Sequence, residues 1–194
     1  MIKQNYHHGN LKETLIDKGL ELLNQVGYEA FSMRKLATIC GVSHSAPYRH
    51  FKDKDELISA IRLKALEHFK QYLNASLKYF SDPRELLKET GKQSVKFFVE
   101  NPDYLDILIL NTLPNNIKIQ NNQVLFSDNP TINFLVENCL KCLESISVDQ
   151  NDFMINVMSI GSMIYGLTIL LVKEHIIIKD SYMDYVDKIL SKLL

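Results

Sequence analysis

The sequence predicts an all-α protein: an N-terminal three-helix bundle containing a helix-turn-helix, followed by a larger helical domain. Three observations carry this. Apolar residues recur at spacings of three and four along most of the chain, while strand-like alternation is scarce. Glycine and proline fall where helices would stop and start: Gly27 and Gly41 close apolar runs, and Asp82-Pro83, Asn101-Pro102 and Asn129-Pro130 open them. The 194 residues are 46% hydrophobic and 23% charged, a composition that suits a folded soluble chain and not a disordered one.

Taken in order, Leu11, Leu15, Gly19, Leu22, Leu23 and Val26 form one helical face, which Gly27 ends. Ser32 caps a short helix from Met33 to Cys40, and Gly41 stops it. Ser43 caps a second short helix, His44 to His50. Asp53 and Glu56 make a capping box. It opens a long helix with Leu57, Ile58, Ile61, Ala65, Phe69, Leu73, Leu77 and Phe80 on its buried side. The three Asx-Pro pairs start further helices. A long helix runs from about Asp152 to about His175, and Asp180 caps a last one ending at Leu194, for about nine helices in all. Between Pro114 and Pro130 an Asn-rich stretch reads as a mobile loop. The domain boundary is expected between a head of residues 1–56 and a ligand-binding and dimerisation domain of 57–194.

The net charge is −1, which excludes a wholly basic protein but hides an asymmetry. Residues 1–52 hold seven Lys and Arg against four Asp and Glu, with four of the six histidines, so the N-terminal segment suits an anionic partner. Cysteines number three, and the first ten residues lack an apolar core of the signal-peptide kind. A reducing, cytoplasmic location is expected. Phe153–Val172 has no charge, but its Asn156, Ser159, Ser162 and Thr168, without a basic flank or aromatic belt, favour a helix buried in protein over a membrane span.

Function concentrates in Phe31–Lys54. Two helices of about two turns joined by Gly41-Val42-Ser43 are too short to hold a core alone. They persist only by packing on the helix Leu11–Val26, through Leu36, Ile39, Val42 and Phe51, with Ala37 allowing a close crossing. This is helix-turn-helix geometry, which presents the second helix to a DNA major groove. His44, Ser45 and Ala46 lie at its reading end, after Ser43. Arg49 sits one turn on and suits guanine, while Tyr48 and His50 reach phosphates. Ser32, Arg34 and Lys35 begin the preceding helix. Lys52 and Lys54 flank the next helix start, whose free N–H groups also attract phosphate. Such helical pairs also occur in proteins that never meet DNA, so the rival is a helical small-molecule-binding or enzymatic dimer with a degenerate head.

The run Ser32-Met33-Arg34-Lys35-Leu36-Ala37, then Gly41-Val42-Ser43, then Tyr48-Arg49-His50-Phe51-Lys52-Asp53-Lys54-Asp55-Glu56-Leu57 resembles the signature of TetR-family transcriptional regulators, over roughly residues 10–62. Tyr6-His7-His8-Gly9-Asn10-Leu11 is similar to the lead-in of one subset of that family. The resemblance implies that Ser32, Arg34, Tyr48, His50 and Lys54 contact backbone or bases. It also implies that His44, Ser45, Ala46 and Arg49 set sequence preference. It further implies a homodimer on a palindromic operator, a two-helix-per-subunit interface, and a C-terminal pocket whose ligand favours a dimer with its reading heads too far apart for adjacent grooves. Pro47 departs from the pattern, which usually has Leu or another apolar residue there. Some subset members carry Trp and His before the glycine where this chain has Tyr165-Gly166.

In the C-terminal half, Ser159, Ser162 and Gly166 line up as a small-residue stripe. With Tyr182, Tyr185, Val186 and Ile189 of the terminal helix they are expected to form a four-helix dimer seam. Phe69, Tyr72, Phe97, Phe98, Tyr104, Leu108, Phe134, Met154, Met158 and Tyr165 are candidates to line an apolar pocket for a hydrophobic or amphipathic effector. Cys139 and Cys142 lie one helical turn apart without a second ligand pair, so zinc is not expected. No phosphate loop, nucleophile elbow or H-E-x-x-H occurs, and neither catalysis nor a cofactor is expected. The expected function is a ligand-responsive, DNA-binding repressor with no membrane partner.

Overall fold

The computed structural model describes residues 11–110, 118–120, 123–125, 130–146 and 148–192. The N-terminal arm with His7 and His8, Asn129 and the end of the chain at Leu194 lie outside the described residues. The chain divides into two compact units, residues 1–65 and 66–194. The division falls inside the third helix, nine residues beyond the expected boundary.

In the first unit, α1 (Leu11–Ala30) buries Leu15, Ile16, Gly19, Leu22 and Leu23. The stop expected at Gly27 is a break within this element, where the residue takes φ 72° and ψ 173°. Gly19 allows a close approach: a Cβ there would meet Ile61 Cδ1 at 2.7 Å, and that side-chain end would have to shift. α2 (Met33–Ile39) begins at Ser32, whose Oγ accepts the Lys35 N–H at 3.5 Å. It ends as the chain turns through Gly41 at φ 68°. Leu36, Ala37 and Phe51 are buried as expected. Ile39, expected among the apolar contacts, is 45% exposed.

The second short helix is not an α-helix. Residues 44–50 form a turn and a three-residue 3-10 segment, Pro47–Arg49. Pro47 has no N–H to give the Ser43 carbonyl, and that carbonyl takes the Ala46 N–H at 2.9 Å instead.

α3 (Lys54–Leu77) starts on the expected cap: Asp53 Oδ1 accepts the Glu56 N–H at 2.9 Å. Glu56 reaches back one residue further than a standard box, to the Lys52 N–H at 2.5 Å. The helix stops at Leu77, so Phe80, expected on its buried side, lies beyond it and is exposed.

In the second unit, α4 (Pro83–Glu100) begins at Asp82, whose carboxylate accepts the Arg84 and Glu85 N–H groups at 3.0 Å each. Asn101 behaves differently. Its Nδ2 donates to the Phe97 carbonyl at 2.9 Å, so it closes α4 and gives no side-chain cap to the next helix. That helix, α5 (Pro102–Leu105), runs into a π-helical turn, Asp106–Leu110. Part of the stretch expected to be loop is an antiparallel ladder, β1 (Lys118–Gln120) with β2 (Gln123–Leu125), in register Lys118↔Leu125.

α6 (Pro130–Ser145), α7 (Phe153–Val172) and α8 (Tyr182–Leu190) complete the unit. α8 follows Ser181, not Asp180. α4 is the hub. Leu87 packs with Val136, Cys139, Cys142 and Leu143 of α6 and with Val157 and Ile160 of α7. Val95 packs with Val186 and Leu190 of α8, and Met163, Ile164 and Leu167 of α7 join them. All eight α-helices among the described residues agree with the expected fold class.

Candidate nucleic-acid interface

The head exposes one side of its helix-turn-helix. Arg34, Lys35, Ser43, His44, Ser45, Tyr48, Arg49, His50 and Lys52 are all exposed, and Ser32 is half-buried beside them. None of Arg34, Lys35, Arg49 and Lys52 has an ion pair among the described residues. Elsewhere in the same unit Lys18 pairs with Glu21 at 2.8 Å and Lys64 with Glu13 at 2.9 Å and Asp17 at 2.6 Å, while Lys12 lies over the Phe51 ring. Positive charge without an internal counter-ion, on the face that a helix-turn-helix turns outward, is the electrostatic footprint of a polyanion partner.

Two expected contacts are placed differently. Ala46 is 9% exposed and faces the head's core, because the tight turn before Pro47 rotates it inward. It is therefore corrected from a reading residue to a packing residue. Lys54 is half-buried: its Nζ donates to the Tyr28 carbonyl and lies 4.2 Å from the Tyr28 ring centroid. Asp55 accepts from the Tyr28 hydroxyl at 2.6 Å, which raises that phenol's pKa. Lys54 and Asp55 thus fasten the start of α3 to the end of α1.

Sequence reasoning passed over Thr38. Its hydroxyl donates to the Arg34 carbonyl at 3.1 Å, and its Oγ1 lies 3.4 Å from His44 Nε2. The signal was present as Thr four residues after Arg34 in a short helix, the spacing at which hydroxyls bond back to the preceding turn.

In the second unit, the pocket candidates divide. Phe69, Tyr72, Phe97, Phe98, Tyr104 and Phe134 pack as one aromatic cluster, with Phe69–Phe97 at 4.9 Å and Phe97–Tyr104 at 5.2 Å between ring centroids. His68 Nδ1 meets the Tyr104 hydroxyl at 2.9 Å, and Tyr72 donates to Gln93 at 3.0 Å. Leu108 and Met154 are buried. Met158 and Tyr165 are not part of this interior. They are 53% and 45% exposed, on the outward side of α7.

That outward side carries Ile155, Met158, Ser159, Ser162 and Tyr165, with Gly166 half-exposed beside them. On α8, Tyr185 is exposed and Ile189 half-buried. Val186, expected at the dimer seam, is instead 1% exposed in the chain's own core, and Tyr182 packs against the same core. Within its own chain α7 is only partly covered: of its described side chains Met154, Val157, Ile160 and Thr168 are buried. It is also the one described helix long and apolar enough to cross a membrane.

A short helix-turn-helix whose outward cations lack ion pairs among the described residues, followed by a larger helical unit, is an arrangement that suits DNA binding. Residues 15–61 match the bacterial regulatory proteins of the tetR family. The chain is 28% identical over 116 residues to YerO, an uncharacterized HTH-type transcriptional regulator of Bacillus subtilis, covering 56% of this chain and 39% of YerO. It is 36% identical over 61 residues to the tetracycline repressor protein class D of Escherichia coli, covering 31% of this chain and 28% of that protein. The fold matches a TetR-like transcriptional regulator from Rhodococcus with a TM-score of 0.69 at 16% identity, over 97% of this chain and 96% of that one. The chain spans about two fifths of the length of the curated relatives it first matches. The match places the head of this chain, residues 15–61, among the bacterial regulatory proteins of the tetR family.

Proposed function

We propose that the chain is a cytoplasmic repressor that binds a palindromic DNA operator as a homodimer and leaves it when a small hydrophobic or amphipathic molecule binds the second unit. The observation that carries the DNA reading is the set of exposed cations, Arg34, Lys35, Arg49 and Lys52, without ion-pair partners among the described residues, around His44, Ser45 and Tyr48. Ser32, Ser43 and His50 complete the contact set, and Lys54 serves it by fixing the start of α3. A bound dimer occludes a promoter directly, and the resemblance to a repressor by name points the same way.

The outward stripe of α7 supports self-association, with Tyr185 and Ile189 of α8 continuing it. The aromatic cluster around Phe97 supports an apolar effector, since rings that pack chiefly on one another can part around a hydrophobic guest. The rival, a helical dimer with a head that no longer reads DNA, gives weak and equal binding to all duplexes.

Fluorescence anisotropy on DNA from upstream of the gene, beside a scrambled duplex and across a salt series, tests the reading. Tight preference for the native duplex, weakening steeply as salt rises, is the expected result. Equal weak binding to both duplexes, and to duplexes selected from a random library, would overturn it.

A further inference from the structure

Resting on the DNA reading above, the geometry points to Thr38 as a positioning residue that fixes the tautomer of His44, so that His44 reads a base edge bearing an amino group. A hydroxyl has one proton. Thr38 spends it on the Arg34 carbonyl, 3.1 Å away and one turn back along α2. The same Oγ1 lies 3.4 Å from His44 Nε2, and with its proton committed it meets that nitrogen only as an acceptor. Nε2 therefore carries the imidazole's hydrogen. In a neutral ring the other nitrogen, Nδ1, is then bare and accepts.

This decides what an exposed histidine at the reading end of a helix-turn-helix selects. In the major groove, only adenine N6 and cytosine N4 offer a hydrogen-bond donor, while guanine and thymine offer acceptors at the corresponding edges. A bare Nδ1 pairs with adenine or cytosine and meets guanine O6 or thymine O4 lone pair to lone pair. The opposite tautomer would present a donor, which guanine O6 and N7, thymine O4 and adenine N7 all accept. Thr38 touches no base in this scheme. It sets the sign of the hydrogen bond that His44 makes, and it ties the loop carrying His44 to α2.

The test uses the full chain in two measurements. First, nitrogen-15 spectra of the histidine rings at about pH 8, where imidazole is neutral, are assigned for His44 by loss of its signals in His44→Gln. The expected spectrum has Nδ1 in the bare-nitrogen range and Nε2 protonated. Thr38→Val, which keeps the side-chain shape without the oxygen, mixes the two tautomers, and Thr38→Ser restores one. A His44 ring protonated at Nδ1 in the unmodified protein would overturn the inference, because Thr38 would then be the donor.

Second, duplexes are selected from a random library, and each base pair of the winner is permuted in turn. Replacing one adenine or cytosine by guanine or thymine is expected to cost the unmodified protein and Thr38→Ser about tenfold in affinity. The same change costs Thr38→Val about twofold or less. If no single adenine or cytosine shows this dependence on both Thr38 and His44, the inference fails while DNA binding stands. If no duplex is enriched over scrambled DNA, the DNA reading itself fails, whatever the tautomer.

Discussion

Arg49 and Ala46 stand three residues apart in the same short turn, yet they have opposite fates. Arg49 is exposed without an ion-pair partner among the described residues, and Ala46 is turned into the core. Arg49→Ala is expected to cost about 1–3 kcal/mol on a specific operator and little on random duplex. Anisotropy on the two DNAs measures this, and equal losses on both would make Arg49 a phosphate contact and not a base reader. Ala46→Gly should leave specificity unchanged, since that methyl reaches no base. The cysteines make a second prediction at this scale. All three are buried, and desolvation together with the neighbouring Cys142 pushes the Cys139 thiol up to about 12. Thiols held protonated are poor nucleophiles. A disulfide reagent at about pH 8 should label the native protein slowly and all three residues rapidly after unfolding; rapid native labelling of Cys139 and Cys142 would show that burial does not protect them.

Among the elements, legibility followed local signals. Ser32, Gly41, Asp53 and Asp82 each carry their cap or turn in one side chain and its immediate neighbours, and each stands as expected. Asn101 looks the same in sequence but bonds backward to Phe97, a choice between two helix ends that the pattern Asn-Pro does not contain. The 3-10 turn at Pro47–Arg49 was expected as a helix, although Pro47 carried the signal against one. The attachment of α8 to α4 was not legible, because it joins residues far apart in sequence. Lys92 reaches Asp187 at 2.8 Å and Glu89 at 2.7 Å, with Lys88 a further 4.0 Å contact to Asp187. The hydrogen bond from Lys92 holds the Asp187 carboxyl below its usual range. A depressed carboxylate stabilises the fold above its ordinary pKa, and that contribution is lost as pH falls through the lowered value. The group is partly exposed, so Asp187→Asn should cost under about 1 kcal/mol at neutral pH. Denaturant midpoints of the two proteins should converge in acid; a gap that persists there would mean that packing and not charge was lost.

For the whole molecule, α7 is the decisive element, and it is where sequence reasoning was weakest. A helix apolar all round gives no face signal, so Met158 and Tyr165 were indistinguishable from Met154. The structure separates them by what each touches. Met154, Val157, Ile160 and Thr168 are packed inside the chain, while Ile155, Met158, Ser159, Ser162 and Tyr165 form a continuous outward stripe. Scattered exposed apolar side chains are ordinary, but a contiguous stripe along an uncharged helix marks a surface that another body covers. A lipid bilayer is the poorer cover, because one side of α7 is already packed on α4 and α6, and because Ser159 and Ser162 sit in the middle of the exposed side. A second copy of the chain fits better: small residues let two such helices approach closely about a two-fold axis. Gly166 gives the clean test. A Cβ built there meets nothing within 4 Å, so a side chain starts into open space within the chain. Gly166→Leu should therefore keep its helicity and its melting transition at low concentration, yet light scattering should show a monomer where the unmodified protein is a dimer. Its affinity for a two-half-site duplex should fall by tenfold or more, roughly to that for a single half-site, because the second head no longer binds in the same event. A variant still dimeric would place the seam elsewhere, and a monomer with unchanged operator affinity would separate DNA reading from dimerisation altogether.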